Sequence, residues 1–182
     1  MKIGIICGSV RTERVTSAVA GYVQQVAERR TDAEFSLIEL ADYDIPVLTS
    51  PVHPMAAGKS YDDPGVQRWS SAIDALDGFV FVTPEYNHGV PGGFKNAVDS
   101  LGAEWVGKPV AFVGHGSVGG VRAIEQWRQI VVNFSMPVVR AEVNFNMFVH
   151  WADGEFTPEE RHHGEVDALL GQLTALVAAQ PG

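Results

Sequence analysis

Short apolar runs alternate along the chain with stretches whose apolar residues recur every three or four positions. Residues 2–7 form the first run, and Val19, Tyr22, Val23 and Val26 follow at helical spacing. Residues 35–40 form the second run. Val66, Trp69, Ile73 and Leu76 make one helical face, and residues 78–82 are a third run. Phe94, Ala97, Val98 and Leu101 predict a third helix, with Pro91 in its first turn. A fourth run, 110–113, precedes a long amphipathic pattern through Val121, Ile124, Trp127, Val131 and Phe134. A fifth begins at 137–140, and residues 143–149 either extend it or form a loop. Thr157, with Glu160 three residues later, reads as a capping box for a last helix. Val166, Leu169, Leu170, Leu173, Leu176 and Val177 give that helix its buried stripe.

Five strands alternating with five helices predict a parallel sheet covered on both faces. Continuous apolar runs suit strands buried on both sides. Right-handed crossovers leave few topologies. The reading adopted is an α/β, doubly wound, flavodoxin-like sheet with strand order 2-1-3-4-5, in a single domain over 1–182; a dinucleotide-binding order is the rival. Between about 41 and 64 the chain carries Pro46, Pro51, Pro54 and Pro64, too many for a regular helix or central strand.

Composition narrows the partners. The formal net charge of -9 argues against nucleic acid or an anionic membrane. No apolar run approaches the ~20 residues that span a bilayer. The start reads as a strand, since a signal peptide needs a longer apolar region and a small-residue cleavage site. The single Cys7 fits a reducing, cytoplasmic setting.

Candidate chemistry gathers where strands end. After the first strand come Gly8-Ser9-Val10-Arg11-Thr12-Glu13-Arg14-Val15-Thr16-Ser17 and then a helix. Unpaired amides and the dipole at a helix start favour an anion. Ser9, Thr12, Thr16 and Ser17 add hydroxyls, and Arg11 and Arg14 offer charge-assisted bonds to a phosphate. The turn lacks G-x-G-x-x-G, so a dinucleotide fingerprint is not supported.

After the third strand, Thr83-Pro84-Glu85-Tyr86-Asn87-His88 is a polar, aromatic loop where open α/β sheets place ligands. Tyr86 can stack on an aromatic ligand, Asn87 and the loop amides can read ring heteroatoms, and Glu85 suits a backbone or intersubunit partner. His88 faces solvent, a substrate or the ring. After the fourth strand, Gly114-His115-Gly116-Ser117-Val118-Gly119-Gly120 permits close backbone approach. Its candidates are His115, Gly116 and Ser117. A phosphate turn and two walls for a flat ring point to a phosphorylated flavin.

Three other patterns are set aside. His115-Gly116-Ser117-Val118-Gly119 approximates a nucleophile elbow, with Asp153 and His162 or His163 following in hydrolase order. The chain is short for that fold, and the reading leaves the first turn unexplained. Gly58-Lys59-Ser60 resembles the end of a P-loop but follows prolines instead of a strand. His162 and His163 are adjacent, so a solvated helix face is expected there, and no metal site.

At these loops the chain resembles the NADPH-dependent FMN reductase family. The resemblance rests on Gly8-Ser9-Val10-Arg11, Pro84-Glu85-Tyr86-Asn87, Pro91-Gly92 with Lys95-Asn96-Ala97, and Gly119-Gly120-Val121-Arg122-Ala123, and spans about 2 to 133. It implies noncovalent FMN, reduction by NADPH or NADH, and a homodimer or dimer of dimers with FMN near the interface. It implies that Ser9, Arg11 and Thr16 with Ser17 hold the phosphate, that Pro84 to Asn87 line the ring, and that Gly116 and Ser117 lie near its other side. The chain departs from many relatives at Arg14-Val15-Thr16-Ser17, at His88, where serine is common, and at Phe94, where leucine is usual. The function expected is hydride transfer from NAD(P)H through FMN to a small acceptor: a quinone, an azo compound, a metal ion, a flavin or oxygen. No proton-transferring side chain is nominated. The alternative is a non-enzymatic electron carrier like a flavodoxin.

Overall fold

The computed structural model describes residues 1–180, so positions 181 and 182 of the expected domain lie outside the described residues. In chain order the elements are β1 (Lys2–Cys7), α1 (Thr16–Ala27), β2 (Glu34–Glu39), α2 (Pro64–Asp74), β3 (Gly78–Pro84), α3 (Gly92–Asp99), β4 (Val110–Gly116), α4 (Val121–Val131), β5 (Val138–Asn146), a two-strand hairpin of β6 (Trp151–Ala152) and β7 (Glu155–Phe156), and α5 (Glu160–Ala178). The five long strands form one parallel sheet in the order β2-β1-β3-β4-β5, the order expected.

Successive strand residues point to opposite faces, and the two faces are covered differently. Ile6, Phe79, Phe81 and Phe112 meet an aromatic layer of Trp69, Phe94, Trp105 and Trp127 from α2, α3, α4 and the segment after α3. Ile5, Cys7, Val80, Val82 and Val113 meet an aliphatic layer from α1 and α5, including Val19, Val23, Leu169, Leu170 and Leu173. Each of the three buried indoles finds an acceptor: Trp69 at the Ala97 carbonyl (2.9 Å), Trp105 at the Val98 carbonyl (3.1 Å), Trp127 at Thr83 Oγ1 (3.0 Å). Satisfied N–H groups let these large rings sit in the core without an orphaned donor.

Several details differ from the sequence reading. β2 is a sheet edge, and only Ile38 of its six residues is buried. β3 and β4 run on to Pro84 and Gly116, so much of their functional sequence is strand end instead of loop. Pro91 stands at the N-cap of α3, one residue before its first turn. β5 extends to Asn146, and residues 147–150 turn away. The β6–β7 hairpin was not anticipated. Its turn is Asp153-Gly154, both with positive φ (51° and 85°), a pair suited to a tight two-residue hairpin loop. The last helix is capped by Glu159, not Thr157. His162 at its third position closes the capping box, its Nδ1 accepting the Glu159 amide at 3.0 Å. His162 is therefore fully buried and not on a solvated face.

The proline-bearing stretch before α2 holds two short 3₁₀ turns, Leu40–Tyr43 and Pro54–Ala56. α2 starts where Asp63 accepts from the Gly65 and Val66 amides (2.8 and 3.0 Å) with Pro64 in the first turn. Among the described residues no helix is long and apolar enough to cross a membrane.

Candidate functional site: three strand ends at one rim

Register brings the three candidate segments together. Cys7 pairs with Val82, and Pro84 pairs with His115, so β1, β3 and β4 end side by side. The Gly8 amide donates to the Val82 carbonyl (2.9 Å), and the Glu85 amide to the His115 carbonyl (3.0 Å). The carboxyl ends of adjacent parallel strands, where the strand order reverses, are where such sheets bind ligands.

The first turn leaves several donors without partners. Among the described residues no carbonyl accepts from the Val10, Thr12 or Glu13 amides. The Arg11 amide reaches only Ser9 Oγ, at 3.4 Å. α1 begins without a side-chain cap and without an acidic residue in its first turn. An uncapped helix start beside free amides is an electropositive cradle. Ser9 and Tyr86 join this turn to the next wall through a 2.8 Å hydroxyl–hydroxyl bond, and the Arg11 guanidinium lies 5.9 Å from the Tyr86 ring centre.

Arg14 is committed elsewhere. Its Nε and Nη2 donate to Glu39 Oε2 (3.0 and 2.8 Å), and Nη1 donates to the Arg11 carbonyl (3.2 Å). It braces the turn against the end of β2. Thr16 is buried, its Oγ1 2.8 Å from His115 Nε2, so the His115 side chain lies behind the turn instead of facing the rim. Burial pushes the His115 imidazole down to about 4. Ser17 Oγ is 3.7 Å from the buried Cys7 Sγ. Burial, and next the charge of Glu39, push that thiol up to about 11.

The second wall is a tight turn. Tyr86 and Gly89 exchange two backbone bonds of 3.0 Å, and Asn87 and His88 between them take φ of 49° and 67°. This is the two-residue geometry that needs positive φ at both centres. Asn and His tolerate it better than most residues, at a cost the surroundings must offset. Gln126 supplies the offset: its Nε2 donates to the His88 carbonyl (2.9 Å) and its Oε1 accepts from the Val90 amide (3.2 Å). Pro84 is buried at the strand end, while Asn87 and His88 are exposed. Glu85 turns away from the rim. Its carboxylate accepts from the Arg122 amide (3.0 Å) and from Arg122 Nη1 (2.6 Å), which caps α4 with a nearly buried charge.

The third wall takes its shape from glycine. Gly116 has φ 152°, and Gly120 has φ 79° with a hypothetical Cβ 2.7 Å from the His115 amide nitrogen. Only glycine lets the chain pass this close. The end of β5 props the segment: Asn144 Nδ2 donates to the Gly119 carbonyl (3.2 Å), Asn146 Nδ2 to the Ser117 carbonyl (3.0 Å), and the Met147 amide to the Gly116 carbonyl (2.9 Å). Ser117 is exposed at the rim.

The competing readings lose their parts here. His115 bonds Thr16, His162 closes the α5 cap, His163 lies 3.0 Å from Arg29 Nη1 and Asp153 shapes a hairpin turn, so among the described residues no triad assembles on Ser117. Lys59 bonds Asp74 Oδ1 on α2 at 2.5 Å.

Residues 1–150 match the family model described as NADPH-dependent FMN reductase. The chain belongs to that family. With it the chain joins the oxidoreductases that use FMN and NAD(P)H. It is 45% identical over 129 residues to the NAD(P)H-dependent FMN reductase ntnL of Nectria sp, a match covering 69% of this chain and 64% of that protein. It is 30% identical to an NAD(P)H-dependent FMN reductase of Schizosaccharomyces pombe, covering 99% and 92%, and 31% identical to the quinone reductase of Escherichia coli, covering 96% and 93%. The fold is shared with FerB, a flavoenzyme NAD(P)H:(acceptor) oxidoreductase from Paracoccus denitrificans. The TM-score is 0.75 at 23% identity, covering 97% of each chain.

The family's cofactor suits the residues present. Free amides, Ser9, Arg11 and an uncapped helix start match a phosphate. Tyr86, an aromatic side chain tied to that turn, and a neighbouring segment of glycines are residue types that suit a flat aromatic ring. The sequence reading missed Gln126, Asn144 and Asn146, which bond the walls through backbone groups. One signal existed: Arg122 and Gln126 stand one turn apart on α4 and both face the 84–90 segment.

Proposed function

We propose that this chain is an FMN-dependent NAD(P)H oxidoreductase that reduces a small acceptor: a quinone, an azo compound, a metal ion or a flavin. The observation that carries the reading is the Ser9–Tyr86 bond at 2.8 Å, which ties the anion turn to the ring-lining turn. FMN, when bound, supplies the relay of a hydride between nicotinamide and acceptor; the protein supplies place and polarity.

Ser9 has one proton and two lone pairs. With Tyr86 donating to its oxygen, its own proton is free to meet a phosphate oxygen. Arg11 and the amides of residues 10–13 complete the anion contacts, and the α1 dipole adds to them. Pro84, Tyr86, Asn87 and His88 form one margin of the ring site, and Gly116 and Ser117 the other. Arg14, Glu85, Thr16 and His115 hold these margins from behind. Ser17 stands beside them in the first turn of α1. Amides of the glycine wall would offer donors to a bound ring, of the kind that stabilise charge developing on reduction. His88, exposed and pinned through its own carbonyl, narrows the open side where nicotinamide and acceptor take turns.

A homodimer or dimer of dimers is part of the proposal. So is a cytoplasmic setting, which the single unpaired Cys7 fits. The test is direct. The purified, FMN-loaded protein is mixed with NADPH or NADH without oxygen, and the visible flavin band is followed. Fast bleaching, recovered on adding a quinone, is the expected result. Tight FMN binding with sluggish bleaching by both nucleotides overturns the enzyme reading in favour of an electron carrier, and failure to bind FMN overturns both.

A further inference from the structure

Away from the rim, two buried histidines meet where the hairpin joins α5. His150 is 3% exposed and His162 is fully buried, and their rings are perpendicular with centres 4.6 Å apart. Both nitrogens of His150 and Nε2 of His162 are buried with no hydrogen-bond partner among the described residues. Buried imidazole nitrogens rarely stay orphaned. Glu159 closes the third side, its Oε1 3.7 Å from His150 Nε2. One ligand atom from each of the three residues lies within 4.8 Å of the others.

We propose that His150, Glu159 and His162 form a binding site for zinc that fastens the hairpin to the start of α5. Two imidazoles and one carboxylate, with water in the fourth position, are a donor set that suits this ion over magnesium or calcium. Bonds of about 2.0–2.2 Å to zinc require the ligand atoms to draw in to about 3.3 Å of one another. Glu159 has the freedom to make that move, because its side chain is half exposed. It also keeps Arg161 on its other oxygen, Oε2, at 2.6 Å, so the ion pair and the metal contact use different atoms. The carboxylate opens the site to solvent and gives the ion its path in.

The ring orientation of His162 is already set. Its Nδ1 lies beside both the amide (3.0 Å) and the carbonyl (3.2 Å) of Glu159, and binding a metal through Nε2 exchanges the tautomer that accepts the amide for the one that donates to the carbonyl, so the cap bond gives way to the carbonyl bond when the ion enters. Ligating histidines are held by this kind of backbone bond. His150 is fixed from its own backbone: its amide donates to Asn146 (2.9 Å), and its carbonyl accepts from Thr157 (2.8 Å). Phe145 packs against both rings (4.7 and 5.6 Å) and excludes water from their inner side. The site draws on three segments: the turn after β5, the residue that caps α5 and the first turn of α5.

Zinc is removed from the FMN-loaded protein with a chelator, returned at known concentration and measured by mass spectrometry after desalting. A competing coloured chelator gives the affinity. One zinc per chain is expected. His150→Gln and His162→Gln should each weaken binding by more than about 100-fold, since even indirect partners of a zinc ligand are worth 10–100-fold. Glu159→Gln, at a half-exposed position, tests the third ligand where a histidine variant fails to fold, and about tenfold weaker binding is expected. His163→Gln should change nothing, because His163 faces Arg29 instead (3.0 Å). Zinc should also raise the melting temperature of the wild type but not of His162→Gln. The proposal falls if the wild type retains no zinc, if the His150→Gln/His162→Gln double variant binds it equally well, or if a crystal soaked in zinc shows only water between the rings.

Discussion

Two arginines close together in the first turn have separate tasks. Arg11 is exposed beside Ser9 and Tyr86, whereas Arg14 is spent on Glu39 and the Arg11 carbonyl. Arg11→Ala should therefore weaken FMN binding about 10–150-fold, the worth of one charge-assisted bond at 1.5–3 kcal/mol. Fluorescence titration of the flavin-free protein measures it. Arg14→Ala should cost at most about 1 kcal/mol of stability, since its ion pair is about one-fifth exposed, and leave FMN affinity close to that of the wild type. Equal losses of affinity in both variants would remove the distinction. His115 makes a different prediction. Its folded pKa lies near 4, below the ordinary 6.5, because burial penalises the charged ring. The unfolded chain takes up this proton first, so stability is full above about pH 6.5 and is lost as the pH falls toward 4, by up to ~3 kcal/mol. Urea unfolding at pH 7 and pH 5 should show the drop, and His115→Gln should reduce it.

Among the elements, α4 couples the 84–90 segment to the glycine segment that leads into it. Glu85 reaches from the end of β3 to the first turn of α4, and Gln126, one turn on, returns to the 84–90 segment. Glu85→Ala leaves the α4 start uncapped and Arg122 unpaired. It should cost about 1–3 kcal/mol, read as a lower melting temperature. Gly120→Ala at φ 79° meets backbone at 2.7 Å and should cost at least as much; an unchanged melting temperature would mean that the wall can shift. The strands legible most sharply were those whose burial leaves a continuous apolar run, β1, β3 and β4, while the edge strand β2, the start of β5 and the five helices were legible from shorter runs and from apolar residues at three- and four-residue spacing. The rim was legible because positive-φ turns and anion cradles demand recognisable residues. The Arg14 partner was not, because Glu39 reaches it only through the β1–β2 register, which no local pattern encodes. Asp153-Gly154 did carry a hairpin signal, but strands of two residues show no alternation to confirm it. His162 was misread because a histidine at the third helical position closed the cap and turned inward.

For the molecule as a whole, the homo-oligomer proposal predicts that sedimentation of the FMN-loaded protein gives a dimer or a dimer of dimers. A monomer at micromolar concentration would separate this chain from that expectation. The sheet itself has a consequence for chemical survival. Its only cysteine lies at the end of β1, fully enclosed, with the thiol held protonated up to about pH 11. Quinones and peroxides attack thiolates, and the fold exposes none to them. Iodoacetamide should leave Cys7 unalkylated in the native state and modify it only after unfolding. With a quinone as the acceptor proposed above, turnover would leave this thiol untouched.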